Sequence, residues 1–288
     1  MADGASRTAE RDRQPPGRAA RSVSVVIPAM NEARNIAWVV GRLPLSIDEL
    51  ILVDGRSTDR TVEVTRAIRP DVVVVDDGGQ GKGAALRAGF EAATGDYVVM
   101  LDADGSMDPT EISAFIAALD DGADLVKGSR FLSGGGTADM TTFRYLGNRF
   151  LLLLANHLFR CAHTDLCYGY AAFRREVVRG LELSATGFEI ETQLYMRSTR
   201  MGLRVAEVAS FEAPRRSGTS NLHTVRDGWR VLRTLLRERR RGEQGPAPRA
   251  PEHRIATSLS TLAREVDESA VGALRGARGS THIEIIGD

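Results

Sequence analysis

No stretch of this chain stays apolar for long enough to cross a bilayer. The longest, Phe150-Leu151-Leu152-Leu153-Leu154-Ala155, falls far short of the roughly 20 residues that a spanning helix needs. A soluble or peripheral protein is expected. Net charge is also missing, because 38 basic residues balance 38 acidic ones. That balance argues against nucleic acid as a partner. Cysteine is scarce: Cys161 and Cys167 are the only two, and their spacing fits neither a zinc knuckle nor a Cys-x-x-Cys redox pair. A reduced, cytoplasmic protein is the expectation. Met1 to Arg21 lacks the apolar core of a secretory signal. It is charged and rich in Ala, Gly and Pro, and reads as a disordered extension.

Against these absences stands Asp102-Ala103-Asp104. It follows Tyr97-Val98-Val99-Met100-Leu101, an apolar run behind Gly95 that reads as a buried strand. Two carboxylates one residue apart at a strand's carboxyl end can share a hard divalent cation. Mg²⁺ and Mn²⁺ prefer oxygen, and Mg²⁺ is commonly held by one or two carboxylates plus substrate phosphates. The competing reading is a solvated Asp-rich turn.

Residues 22–126 alternate strand and helix signals, as in a mainly parallel, doubly wound α/β sheet. Strands are expected at Val23–Ile27, Leu50–Val53, Asp71–Val75, Val98–Leu101 and from Asp124. A helix is expected to open at Asn31 or Glu32 and run through Val40. A second follows a Ser57 or Thr58 cap, a third spans Ala84–Ala93, and a fourth spans Pro109–Leu119. Polar residues gather where these strands end: Pro28 to Glu32, Asp54-Gly55, Asp76-Asp77 and Asp102 to Asp104. In open α/β sheets, ligands bind outside the carboxyl ends of the strands. Gly81-Lys82-Gly83 is no Walker loop, because the preceding glycine and the Ser or Thr after the lysine are absent.

Further on, helices are expected over 142–160, 188–201 and 222–241. The last sets Leu222, Val225, Trp229, Leu232 and Leu236 at helical spacing. Arg226, Arg230, Arg233, Arg237, Arg239, Arg240 and Arg241 surround them, opposed by Asp227 and Glu238. It reads either as a membrane-surface helix attracted to anionic lipid or as a helix packed on the domain with a solvated basic face. Residues 242–288 read as a linker and a poorly ordered tail.

Taken together, Val25-Val26-Ile27-Pro28-Ala29-Met30-Asn31-Glu32, Val53-Asp54-Gly55-Arg56-Ser57-Thr58-Asp59, Gly81-Lys82-Gly83, Asp102-Ala103-Asp104-Gly105, Gly128-Ser129-Arg130-Phe131, Thr164 to Tyr170 and Gly187 to Glu191 resemble family 2 glycosyltransferases. The polyprenyl-phosphate sugar synthase branch, which includes dolichyl-phosphate mannose synthase, is the most similar. The resemblance spans roughly residues 22–240, and the joint order of the motifs makes it specific. It implies a GT-A fold, that is, a Rossmann-like doubly wound mixed sheet with a helical acceptor-side half. One domain would cover 22–241, with a nucleotide-sugar half (22–130) and an acceptor half (131–241). It also implies inverting transfer from a UDP- or GDP-sugar, with polyprenyl phosphate as the preferred acceptor. Asp102 and Asp104 would hold Mg²⁺ or Mn²⁺. Pro28, Ala29, Glu32, Asp54 and Lys82 would help to bind the nucleotide sugar.

A hydroxyl acceptor needs a general base, for which Asp165, Glu189 and Glu191 are the candidates. The alternative for both glutamates is helix-start acids that complement the macrodipole. A phosphate acceptor is already ionised, with its second pKa about 6, and needs guanidinium groups instead. Arg130 and Arg215 match branch motifs, and Arg144, Arg149 and Arg216 complete the pool. The basic loop departs from the family by ending Ser220-Asn221 rather than Ser-Lys, and His223 follows as an exposed histidine. Other readings are a soluble small-molecule or glycan hydroxyl as acceptor, a sugar-phosphate nucleotidyltransferase, and a catalytically dead binding module.

Overall fold

The computed structural model describes residues 21–219 and 223–242. Most of the expected N-terminal extension, Ser220-Asn221, Leu222 and the tail beyond 242 lie outside the described residues. Nine strands are described: β1 (Val23–Ala29), β2 (Glu49–Asp54), β3 (Val73–Asp76), β4 (Tyr97–Met100), β5 (Leu125–Ser129), β6 (Gly136–Thr137), β7 (Ala171–Arg174), β8 (Val205–Ala209) and β9 (Phe211–Glu212). The helices are α1 (Ile36–Gly41), α2 (Thr61–Ile68), α3 (Lys82–Ala92), α4 (Ile112–Asp120), α5 (Thr142–Phe159), α6 (Arg175–Leu181), α7 (Glu189–Arg200) and α8 (Thr224–Gly242).

Seven strands form one sheet in the order β3-β2-β1-β4-β7-β5-β8. All its pairings are parallel except those of β7, which runs antiparallel to β4 and β5. The sheet is therefore mixed, and it runs through both halves of the chain. Alternate residues of each strand feed opposite faces, because strand side chains have a period of two. Val25, Ile27, Leu50, Leu52, Tyr97 and Val99 join α1 and α4 in one core layer. Val26, Ile51, Val53, Val98 and Met100 meet α3, α5 and α7 in the other. Burial on both faces explains the near-continuous apolar runs of the central strands.

Two local expectations are corrected. The first helix starts at Ile36 rather than at Asn31 or Glu32. Asn31 adopts a left-handed conformation (φ 58°), which asparagine tolerates better than most residues. Its backbone N–H donates to Ser57 Oγ at 2.9 Å, and its Oδ1 accepts from the Thr58 N–H at 2.8 Å. Ser57 and Thr58 are thereby spent in tying the β1 and β2 loops together. They do not cap α2, whose N-cap residue is Arg60.

Candidate functional site

The carboxyl ends of β1, β2 and β4 open into a cavity of about 530 Å³. Pro28, Ala29 and Glu32 reach it from β1, and Asp102 and Asp104 from β4. Lys82 reaches it from the first turn of α3, Glu191 from α7, and Arg215 from the loop after β9. Three of the expected site residues fall outside this lining: Asp54, Asp165 and Glu189.

Asp54 ends β2, and its carboxylate accepts from the Ser57 N–H at 3.1 Å. Glu189 opens α7 and accepts from the Gly187 N–H at 3.3 Å, which is helix-start behaviour. Asp165 is fully buried. It receives Arg130 Nε at 2.7 Å, Arg130 Nη2 at 2.9 Å and Asn148 Nδ2 at 3.1 Å. Burial alone would raise its pKa, but Arg130's hydrogen bonds and charge hold the carboxyl below its ordinary value. Arg130 also donates to Glu212 Oε2 at 3.0 Å and to the Cys167 carbonyl at 2.8 Å. Four of its five guanidinium N–H groups are thus engaged, and Arg130 lines the cavity with Asp165 fixed behind it. The pair braces this wall of the cavity, because a buried ion pair cannot release one partner cheaply.

Lys82 is central. Its Nζ lies 2.7 Å from Asp102 Oδ1 and 2.8 Å from Glu191 Oε1, and 5.4 Å from the centre of the Phe188 ring. Burial would lower its pKa, but the two carboxylates overcompensate and keep it firmly charged. Glu191 is buried, which raises its pKa, and Lys82 only partly offsets this. Two glycines make room for the cluster. A Cβ at Gly83 would come within 2.6 Å of the Ala185 carbonyl oxygen, so only glycine lets α3 begin against 185–186. A Cβ at Gly169 would sit 2.6 Å from Glu191 Oε1 and 2.8 Å from Lys82 Nζ.

Across the cavity, Arg215 pairs with Glu32 and, through Nη1 at 3.2 Å, with Asp104 Oδ2. The Arg216 N–H donates to the Asp104 carbonyl at 3.2 Å, and Asn35 Nδ2 donates to the Ser217 carbonyl at 3.1 Å. The loop is thus fastened over the acidic pair. Burial raises the Glu32 carboxyl against the opposing effects of Asn35 and Arg215. The Arg216 guanidinium lies 4.7 Å from the centre of the Trp38 ring. Arg144 lines the cavity while pairing with Asp139 at 3.2 Å. Arg149 and the His223 side chain lie on the surface outside the lining.

The donor set fits a hard cation. Asp102 and Asp104 offer only oxygens, with side chains 27% and 20% exposed. Among the described residues, no three His, Cys, Asp or Glu side chains cluster to hold an ion. An ion there would therefore need further oxygens from a ligand, as Mg²⁺ sites commonly do.

Sequence reading missed Arg226 and Arg230 as cavity residues. They stand one helical turn apart, so the same spacing that marked a basic surface also permits two guanidinium groups on one wall. Asn148, which steadies Asp165, carried no motif.

The glycosyl transferase family 2 profile matches residues 24–181. Glycosyltransferase AglJ of Haloferax volcanii is 33% identical over 75% of this chain and 71% of its own length. Polyprenol monophosphomannose synthase of Mycolicibacterium smegmatis is 32% identical, over 69% of this chain and 80% of that protein. The dolichol-phosphate mannosyltransferase of Pyrococcus furiosus is 30% identical over 69% of this chain, which spans 59% of that protein. Among solved structures, glucosyl-3-phosphoglycerate synthase from Mycobacterium tuberculosis, in complex with Mn²⁺, UDP and glucosyl-3-phosphoglycerate, superposes with a TM-score of 0.61. It is 28% identical, with 76% of this chain and 80% of that chain covered. The mixed sheet and the profile match converge: the chain belongs to glycosyl transferase family 2, and it is a glycosyltransferase of GT-A fold.

Proposed function

We propose that this glycosyltransferase moves a sugar, with inversion, from a UDP- or GDP-sugar to polyprenyl phosphate in a reaction dependent on Mg²⁺ or Mn²⁺. The observation that carries this reading is one cavity lined by Asp102 and Asp104 from the sheet edge and by Arg144, Arg226 and Arg230 from α5 and α8. Glu32 with Pro28 and Ala29 would cradle the nucleoside, and Lys82 and Arg215 would contact the diphosphate. A divalent ion on Asp102 and Asp104 would supply Lewis-acid stabilisation of the departing diphosphate. The arginines would orient an acceptor phosphate that needs no deprotonation near neutral pH. Were a hydroxyl to attack, Glu191 would be the base, since burial brings its pKa toward the working range. The names of the Pyrococcus and Mycolicibacterium relatives and the UDP and Mn²⁺ of the structural neighbour support this reading. The nucleotidyltransferase alternative falls with family membership.

An apolar rim supports a lipid acceptor over a soluble one. Along α5, Phe143, Leu146, Phe150 and Leu153 are all exposed, at spacings that place them along one side of the helix. They neighbour the cavity residues Arg144, Gly147 and Leu151. The packing of α8 leaves room for the membrane-surface reading. Val231 and Leu235 pack into the core, while Val225, Trp229 and Leu236 stay exposed among arginines. No helix among the described residues is long and apolar enough to cross a membrane. Contact would be peripheral, on the cytoplasmic face, through apolar insertion and attraction to anionic lipid.

The test is transfer of labelled sugar from UDP- and GDP-sugars to polyprenyl phosphate in anionic vesicles with Mn²⁺. The absence of both transfer and donor hydrolysis for every common donor defeats the proposal. Trp229→Glu with Phe150→Glu is expected to weaken vesicle co-sedimentation by about tenfold or more, while nucleotide binding is unchanged. Gly169→Ala should displace the Lys82–Glu191 pair and reduce kcat by about 10²-fold. Thermal unfolding should barely change, because the crowded atoms are the ends of side chains.

A further inference from the structure

The acidic pair is neutralised from within the chain. Lys82 Nζ stands 2.7 Å from Asp102, and Arg215 Nη1 stands 3.2 Å from Asp104. Each cation is also held from behind, Lys82 by Glu191 at 2.8 Å and Arg215 by Glu32. Lys82 is only 11% exposed on its side chain, so its charge acts with little screening by water. A divalent ion added to this arrangement meets two fixed positive charges beside its intended ligands. A nucleoside diphosphate changes the balance, because its oxygens compete for the ammonium and the guanidinium. Both carriers can follow it. Lys82 sits on a flexible four-carbon stem at the first residue of α3, and Arg215 rides on a loop rather than on a helix or strand.

We propose that Lys82 and Arg215 are stand-in counter-ions for the metal, so that the protein alone binds a divalent cation weakly. Nucleoside diphosphate then draws both side chains onto its own oxygens and releases Asp102 and Asp104 to the ion. The inference rests on the reading of the cavity as a metal–diphosphate site. It adds that metal and nucleotide bind as a coupled pair, with these two residues as the coupling device. By linkage, the factor by which UDP or GDP tightens Mn²⁺ equals the factor by which Mn²⁺ tightens the nucleotide.

The test is titration of the full chain with Mn²⁺, following the electron paramagnetic resonance signal of the free ion, with and without UDP or GDP. Unmodified protein should bind Mn²⁺ at least about tenfold more tightly when the nucleotide is present. Lys82→Met should bind Mn²⁺ alone at least about tenfold more tightly than the unmodified protein, and the nucleotide-induced gain should shrink to match. Arg215→Met, a change in a loop rather than in the core, carries the same expectation and stands in if Lys82→Met fails to fold. A role limited to grasping phosphate predicts weaker nucleotide binding with no gain in Mn²⁺ affinity, and that result overturns the inference. If neither UDP nor GDP binds under any condition, the cavity reading itself fails. If the nucleotide binds normally and both variants leave Mn²⁺ affinity unchanged, only the counter-ion role fails.

Discussion

Asp104→Asn is expected to lower kcat/KM for sugar transfer by about 10²–10³-fold, the usual cost of losing one group that stabilises charge in a transition state. The substitution is nearly isosteric. Oδ1 would still accept the Ser106 N–H, now at 3.0 Å, so the turn after β4 should persist. What disappears is the negative charge that faces Arg215 and would grip the cation. Stability should change little, because the Arg215–Asp104 pair is partly solvated. The two readouts are therefore separable: a deep loss of turnover, a Tm near that of the parent, and Mn²⁺ affinity weakened in the presence of nucleotide. Unchanged turnover and unchanged Mn²⁺ affinity would remove the acidic pair from the chemistry.

Arg130→Met should give the largest loss of stability. It leaves Asp165 and Glu212 without their cation in the interior. Breaking a buried ion pair from one side costs about 3–5 kcal/mol, which corresponds to a fall in Tm of roughly 6–20 °C in a domain of this size. Arg130→Lys should rescue little, because an ammonium cannot reproduce the fork that spans both Asp165 oxygens. The pH dependence distinguishes this account from simple loss of packing. In the parent, Asp165 is held below its ordinary value of 3.8. Its contribution is present above that pH and disappears as pH falls through the lower folded value. In Arg130→Met, burial acts without its main counterweight and the carboxyl rises. The variant then loses stability as pH climbs past the unfolded pKa. Its deficit in thermal unfolding should widen between about pH 4 and about pH 7. A deficit independent of pH would point to packing alone.

Much of this was legible in the chain itself, for identifiable reasons. Strands buried on both faces betray themselves as apolar runs, and Val25 to Ala29, Leu50 to Asp54 and Tyr97 to Met100 lie side by side in the sheet. Asp102, Asp104, Lys82 and Glu191 reach one cavity because each closes or opens an element at the same edge. What stayed hidden depends on distant contacts. Asp165 and Arg130 carry motif-like surroundings, yet they are 35 residues apart and bonded to each other, which no local pattern displays. Asn31 and Ser57 read as helix and cap signals until each is seen to bind the other's loop. The outward apolar side of α5 could not be separated from its inward one, because Leu151 and Leu152 face the core beside exposed Phe150 and Leu153.

The antiparallel strand β7 carries a consequence for how the chain can be divided. It wedges between β4 and β5, so residues 97–100 and 125–129 have no direct strand pairing with each other and depend on Ala171–Arg174 as their common partner. A fragment ending near residue 130 would expose two raw strand edges, which are templates for misassociation. As the polypeptide leaves the ribosome, those edges must wait some forty residues for their mate, an interval in which chaperones have a target. For the same reason, the portions before and after residue 130 cannot be exchanged between relatives by a single crossover at that boundary. Any chimaera has to inherit the wedge together with both of its neighbours.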